Sequence, residues 1–248
     1  MRLARSVFPA LAFTLLTIAP AAAQSGAGRV QIGVNGLYQA TTNDFGDRFT
    51  FEQYLETGST EVDYPVGGGP AFDVGAAVRL WRGLGAGVGF SSFTRDETAP
   101  TVSQVPHPFF FEQPREVVGD ATGITRTESV VHVQAVYVID PRGPWRVVVG
   151  AGPSFFNVEQ DLVTQVRFSE SFPFDTATFT TADQQRVTAS ATGFNVSGDV
   201  SWMFSRNFGV GALVRFSRVS VDLEAPGDRT IPVDVGGAQA GGGIRIVF

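Results

Sequence analysis

The stretch Gly236-Gly-Ala-Gln-Ala-Gly-Gly-Gly-Ile-Arg-Ile-Val-Phe248 decides the fold. Counting back from Phe248, every second residue is apolar or small: Ile246, Ile244, Gly242, Ala240, Ala238. The other set carries Arg245 and Gln239. This is the period of a β-strand with one apolar and one polar face. Chain ends more often fray into polar residues. An aromatic residue closing such an alternation asks which face meets which solvent.

Seven earlier segments repeat the pattern: Val30–Ala40, Pro70–Trp81, Leu84–Arg95, Glu128–Asp140, Trp145–Val158, Gly193–Phe204 and Phe208–Leu223. With Val235–Phe248 they make eight. Each is long enough for a tilted strand to cross a bilayer, which takes about 9–11 residues. Their connections alternate. Arg82-Gly83, Pro141-Arg-Gly-Pro144 and Ser205-Arg-Asn207 are tight turns, whereas 41–69, 96–127, 159–192 and 224–234 are long. In an up-and-down meander this puts all short turns at one end and all long loops at the other. The spacing predicts an all-β fold: a transmembrane up-and-down antiparallel β-barrel of eight strands with short periplasmic turns, long extracellular loops and both termini periplasmic.

The two faces differ in kind. One parity carries Val30, Ile32 and Val34, then Phe72 and Val74, Val131 and Val133, Phe194 and Val196, Val210 and Val214, and no charge. The other carries Asp73, Arg79, Glu128, His132, Arg146, Asp199, Arg215 and Arg245, together with most of the strand glycines. A water-facing surface has no use for so many glycines and would carry charge at high density. The interior of an eight-stranded barrel is only wide enough for side chains to fill it. Arginine fits there when its neighbours are small. The polar parity therefore faces the lumen and the apolar parity faces lipid. The charged residues are expected to pair as a plug, with Asp199 diagonally across the strand pair from Arg215, because buried charges left unpaired carry a heavy desolvation cost. Trp81, Trp145, Trp202, Phe204, Phe208 and Phe248 cluster at the short-turn end, as an aromatic girdle at headgroup level.

Composition agrees. Arg2 and Arg5, the apolar run Leu11–Ile18 and Ala21-Ala-Ala23 read as a secretory signal peptide over residues 1–23, leaving residues 24–248 as one barrel domain. Cysteine is absent, so an exported chain takes its stability from a core or from sheet closure. Net charge is −6, and most of the 24 acidic residues fall in the four long connections. That charge serves solvation and repulsion, with divalent-cation bridging to lipopolysaccharide as the sharper option. No cofactor or metal site is expected. Phe109-Phe-Phe111 in the second long connection is expected to cap the barrel, or otherwise to line a solute entry. Residues 158–168 and 176–192 look like strands continuing past the membrane, whose open edge would bind a partner by strand addition.

These features resemble the small outer-membrane β-barrel proteins of the OmpX, OmpW and OmpA transmembrane-domain group. In that group the last strand ends in Phe after alternating apolar residues, and Ile244, Ile246 and Phe248 match this assembly signal. The resemblance implies residence in the bacterial outer membrane as a monomer. It implies contact with outer-membrane lipids and lipopolysaccharide, and with the barrel-assembly machinery during biogenesis. An extracellular protein partner is also expected, and no nucleic acid. It implies surface interaction or membrane integrity as the role. A narrow OmpW-like channel for small, hydrophobic solutes is the alternative. Lipid A modification is remote, because His132 falls on the lumen parity, His107 lies between prolines, and neither has a serine two residues later. No peptidoglycan-binding domain is expected after Phe248. Gly83-Leu-Gly-Ala-Gly-Val-Gly-Phe90 is no nucleotide fingerprint, since its glycines repeat at strand period and no helix follows.

Overall fold

A computed structural model describes residues 29–41, 43–141 and 143–248. The expected signal peptide, residues 1–23, lies outside the described residues. Ten antiparallel strands are present: β1 (Val30–Ala40), β2 (Phe45–Gln53), β3 (Glu56–Tyr64), β4 (Gly69–Trp81), β5 (Leu84–Val105), β6 (Arg115–Ile139), β7 (Trp145–Glu170), β8 (Ala177–Met203), β9 (Phe208–Ala225) and β10 (Arg229–Val247). Eight of them close a ring in the order β5-β4-β1-β10-β9-β8-β7-β6, with β6 returning to β5. Closure brings residue 30 beside residue 248, where Val30 and Phe248 exchange backbone hydrogen bonds of 3.1 and 2.9 Å. The β4–β5 connection is a two-residue turn in which Arg82 and Gly83 both have positive φ, 46° and 93°. This geometry matches the twist of the strands it joins, and glycine adopts it without a Cβ penalty.

The long connections differ from their reading as loops. β5, β6, β7 and β8 are 22, 25, 26 and 27 residues long, so most of 96–127 and 159–192 is strand. The expectation that 158–168 and 176–192 continue as strands agrees with this. Residues 41–69 hold the β2–β3 hairpin, which joins the ring through a short ladder from Ser59↔Gln104 to Val62↔Thr101. The molecule is therefore an eight-stranded barrel with a long projecting sheet at one end.

Polarity inverts along single strands. In the lower half of β9, Val210, Val214 and Phe216 point outward and are exposed, while Arg215 and Ser217 are buried inside. Farther up the same strand Val221 and Leu223 are buried, and Asp222 and Glu224 face out. β7 crosses over between exposed Phe155 and the buried pair Phe156 and Val158. The upper interior is a continuous apolar core that includes Val62, Tyr64, Ile124, Leu162, Leu223 and Val233. The top of the β7–β8 hairpin leans over this core. Its alternation breaks at Leu162-Val163, both fully buried, next to a register shift between Val163 and Gln165. Tyr64 Oη accepts the Val163 N–H at 2.8 Å.

Outside the lower half runs an apolar belt bounded by two aromatic rings. Trp81, Trp145, Trp202, Phe204, Phe208 and Phe248 are exposed at the short-turn edge. Tyr38, Phe72, Phe90, Phe155, Phe194 and Phe216 are exposed at the opposite edge and form a second ring beyond the one expected at the short-turn end. From Phe194 to Phe204 the chain makes ten steps of about 3.3 Å, which at a tilt of about 40° gives a belt roughly 25 Å tall. That is the height of the apolar band of outer-membrane barrels.

Candidate functional site

The lower lumen is crossed by a polar network built from inward residues of five strands, β1, β4, β8, β9 and β10. Arg245, 1% exposed, is the largest fully buried side chain among the described residues. Its Nε donates to both Asp199 carboxylate oxygens at 2.9 and 3.2 Å, and Nη2 pairs with the same carboxylate. Its Nη1 donates to Asn35 Oδ1 at 2.6 Å. Asn35 in turn donates to Asp73 at 2.8 Å, and Arg215 reaches Asp73 from across the barrel at 2.6 Å. Gln31 donates to Asp199 at 3.2 Å. Each guanidinium thus meets a carboxylate and each carboxylate takes a second donor, as buried charges require. Arg245 has room because the facing positions lack side chains. A Cβ on Gly211 would lie 3.0 Å from Arg245 Nε and 3.0 Å from the Val200 carbonyl oxygen.

Nearer the projecting end, Arg126 Nε donates to Glu128 at 2.8 Å, Gln39 donates to Glu128 at 3.0 Å, and Gln239 donates to Gln39 at 2.7 Å. His132 is fully buried between two hydroxyls, with Ser91 Oγ 3.0 Å from Nε2 and Ser154 Oγ 2.7 Å from Nδ1. Asn195 donates to Ser154 Oγ at 2.7 Å, so the chain of bonds continues across the lumen. The network retains a cavity of about 70 Å³, lined by Asn35, Asp73, Asp199, Arg215 and Arg245 among others. That is room for a few water molecules.

The pairing differs from expectation in three respects. Asp199 does lie diagonal to Arg215, opposite Leu213 while Ser197 is opposite Arg215, but its carboxylate pairs with Arg245 and Arg215 pairs with Asp73. Arg79 and Arg146 do not join the deep acids. They converge on Asp140 at the short-turn mouth, at 2.5 and 2.7 Å. There burial favours the neutral acid, yet the hydrogen bonds from Arg146 and Arg79 outweigh it and hold the Asp140 carboxyl below the usual range. Glu128 is held by Arg126, which lies within the expected loop 96–127 and in fact belongs to β6. The lumen is also less uniformly polar than the parity suggested, since Leu37, Ala71, Phe93 and Leu213 form a small apolar cluster inside it.

At the projecting end, three strand tips meet. Glu112 N–H donates to Glu56 at 2.7 Å, Arg115 pairs with Glu170 at 2.6 Å, and Tyr54 Oη donates to the same Glu170. Above these ties, Leu55, Phe109, Phe110, Phe111 and Phe172 are exposed, with Leu55 at 93%. The expectation that Phe109-Phe-Phe111 cap the barrel is therefore corrected: they crown the outermost tip, and the β7–β8 hairpin with Tyr64 covers the core instead. Phe109 packs edge-on to Phe174 at 5.5 Å between ring centroids. Lower on the same hairpin, Arg186 donates to Asp161 at 2.8 and 3.0 Å. Those bonds, opposed in part by burial and helped by the Thr125 N–H, hold the Asp161 carboxyl below the usual range.

The sequence matches no protein-family model, and no curated protein resembles it significantly. Likeness appears among solved structures. The outer membrane protein OprG of Pseudomonas aeruginosa is 9% identical at a TM-score of 0.50, over 90% of this chain and 96% of that one. Neisserial surface protein A is 13% identical at 0.45, over 90% and 100%. Ail, the attachment invasion locus protein of Yersinia pestis, is 10% identical at 0.38, over 88% and 99%, in a complex with the heparin analogue sucrose octasulfate. At such identity a likeness speaks to the fold, and the fold is that of a small eight-stranded outer-membrane β-barrel.

Proposed function

We propose that this chain is a monomeric bacterial outer-membrane protein with a side-chain-filled lumen. It would display a rigid acidic projection to the exterior and act there in surface contact. The polarity inversion along β7 and β9 carries the reading. A belt roughly 25 Å tall of exposed Val, Phe and Trp is far larger than the apolar patches that water-soluble monomers tolerate, about 300–600 Å². Above it the same strands turn polar faces outward over an apolar core, as a water-exposed barrel does. The strands reverse polarity where they would leave the hydrocarbon. In this placement the short turns and residues 30 and 248 face the periplasm, and β2, β3 and the upper strands face outward among lipopolysaccharide.

The projection offers an exposed apolar crown at Leu55, Phe110, Phe111 and Phe172, rimmed by Glu52, Glu56, Glu112, Glu116 and Asp175. Its chemistry suits a protein surface that is cationic and partly apolar. The free edge of β2, which is bonded only to β3, adds a place for strand addition.

Surface plasmon resonance against an amphipathic Lys/Leu peptide tests the contact role. Binding should weaken with salt and fall at least tenfold in Phe110→Ser/Phe111→Ser. Salt-insensitive binding, or none, would sink it. Planar-bilayer recording tests the filled lumen, with at most small, irregular conductance expected. A large, stable channel would instead favour the narrow solute channel. We assign the chain no catalysis, and altered lipid A in the mass spectra of expressing cells would overturn that.

A further inference from the structure

The short-turn rim carries charge that the surface-contact role does not use. At that end the described residues hold Arg29, Arg79, Arg82, Arg146 and Arg206, against Asp140 as the single acidic side chain. Asp140 is shared by Arg79 and Arg146. Among the described residues Arg29 and Arg82 form no ion pair. The opposite end of the molecule is acidic, so the excess is directional.

The positive groups surround a space. Arg29, Arg79 and Arg82 line an open cavity of about 490 Å³ together with Leu80, Trp81 and Asp140. β1 and β4 hold the first two together, since Arg79 N–H donates to the Arg29 carbonyl at 2.8 Å. The Arg82 guanidinium lies over the Trp81 ring, 4.9 Å from its centroid, which fixes it at the level of the girdle. Leu80 and Trp81 are 72% and 63% exposed and continue the apolar belt to the edge of the cavity. One ligand would use both halves: an anionic headgroup on the guanidinium groups, with its glycerol and upper acyl carbons against Leu80 and Trp81. A soluble anion would leave the apolar wall unused.

We propose that this rim is a binding site for anionic phospholipid in the periplasmic leaflet, with its phosphate held by Arg29, Arg79 and Arg82. The inference rests on the membrane placement proposed above and deepens it. Basic side chains at an anionic surface each contribute about fivefold to binding. The site would fix the depth and direction of the barrel, as phosphate bonds on one side only resist vertical displacement.

The test uses the full mature chain. Flotation with liposomes comes first, and failure to float overturns the membrane placement and this inference together. For protein that floats, native mass spectrometry from detergent follows titration with phosphatidylglycerol, phosphatidylethanolamine or inorganic phosphate. Phosphatidylglycerol should be retained at least tenfold better than phosphatidylethanolamine. Arg29→Gln/Arg82→Gln should reduce its retention by roughly 25-fold, two steps of about fivefold. Arg29→Lys/Arg82→Lys should keep most of it, and Arg167→Gln/Arg218→Gln on the projection should change nothing. Equal retention of the two lipids by the wild type overturns the inference while leaving the membrane placement intact. Displacement by millimolar inorganic phosphate overturns it in favour of a soluble anion. The wild-type comparison stands even if the glutamine variant fails to fold.

Discussion

Replacing Asp199 with alanine should remove the keystone of the lumen network. Arg245 is 1% exposed and directs two of its three nitrogens at that carboxylate. Breaking a buried pair from one side leaves an uncompensated charge and costs about 3–5 kcal/mol. Arg245 keeps Asn35 Oδ1 at 2.6 Å and the Ile244 carbonyl at 3.1 Å, so the lower end, about 3 kcal/mol, is expected. Replacing both partners, Asp199→Leu with Arg245→Met, removes the charge along with its partner. It strands the Gln31 amide and Asn35 Oδ1, neutral groups that cost about 1–3 kcal/mol each. The double variant should therefore be less destabilised than the sum of Asp199→Leu and Arg245→Met made singly, by about 2 kcal/mol or more. Urea unfolding in phospholipid vesicles reads this through the three tryptophans, Trp81, Trp145 and Trp202, all of which stand on the girdle. Single variants within about 0.5 kcal/mol of wild type, or a strictly additive double, would refute the view that ion pairing holds the lumen.

Other outcomes follow from particular contacts. Gly211→Val places a Cβ against a carbonyl oxygen that cannot move and should cost about 1–3 kcal/mol, whereas Gly198→Ala, with nothing within 4 Å of the new carbon, should be neutral in the same unfolding assay. Phe248→Ala removes a ring that is 64% exposed, so equilibrium stability should hold while heat-modifiable gel migration shows slower or incomplete assembly; unchanged assembly would argue against an assembly signal in Ile244, Ile246 and Phe248. Deleting the β2–β3 hairpin should speed hydrogen exchange over the upper core and leave the belt strands protected, since Val62 and Tyr64 pack only in that core. The Asp161 carboxyl is depressed in the folded protein, so its pairing with Arg186 stabilises at neutral pH and is lost as pH falls below about 4 toward the folded value. Exchange at residues 158–192, corrected for intrinsic rate, should rise there and be flat with pH in Asp161→Asn.

The ring of eight was legible because alternation at period two, with tight turns at every second connection, survives in the bare sequence. What lay above the belt was not. Along β7 and β9 the inward set keeps its parity but changes from polar to apolar, so a reader following one apolar face loses the strand where it leaves the hydrocarbon. The β2–β3 hairpin was hidden for a different reason. Its turn residues are Tyr54 and Leu55 at φ 53° and 66°, positions where Asn-Gly or Asp-Gly would have announced a turn. For the lumen, parity told which side chains face inward but not at what angle around the barrel. The pairing of Arg215 with Asp73 depends on the stagger of strands far apart in sequence. Arg126 carried a signal that could have been used: it shares the parity of Glu128 two residues on.

The direction of the two faces is tested most directly by spin labels on single cysteines, which the chain's lack of native cysteine leaves unambiguous. Labels at Val196, Val200 and Val214 in vesicles should be relaxed by dissolved oxygen and shielded from a water-soluble nickel chelate, while a label at Asp222 should show the reverse. If the belt labels instead met the nickel chelate and not oxygen, the apolar face would not lie in hydrocarbon and the membrane account would fail.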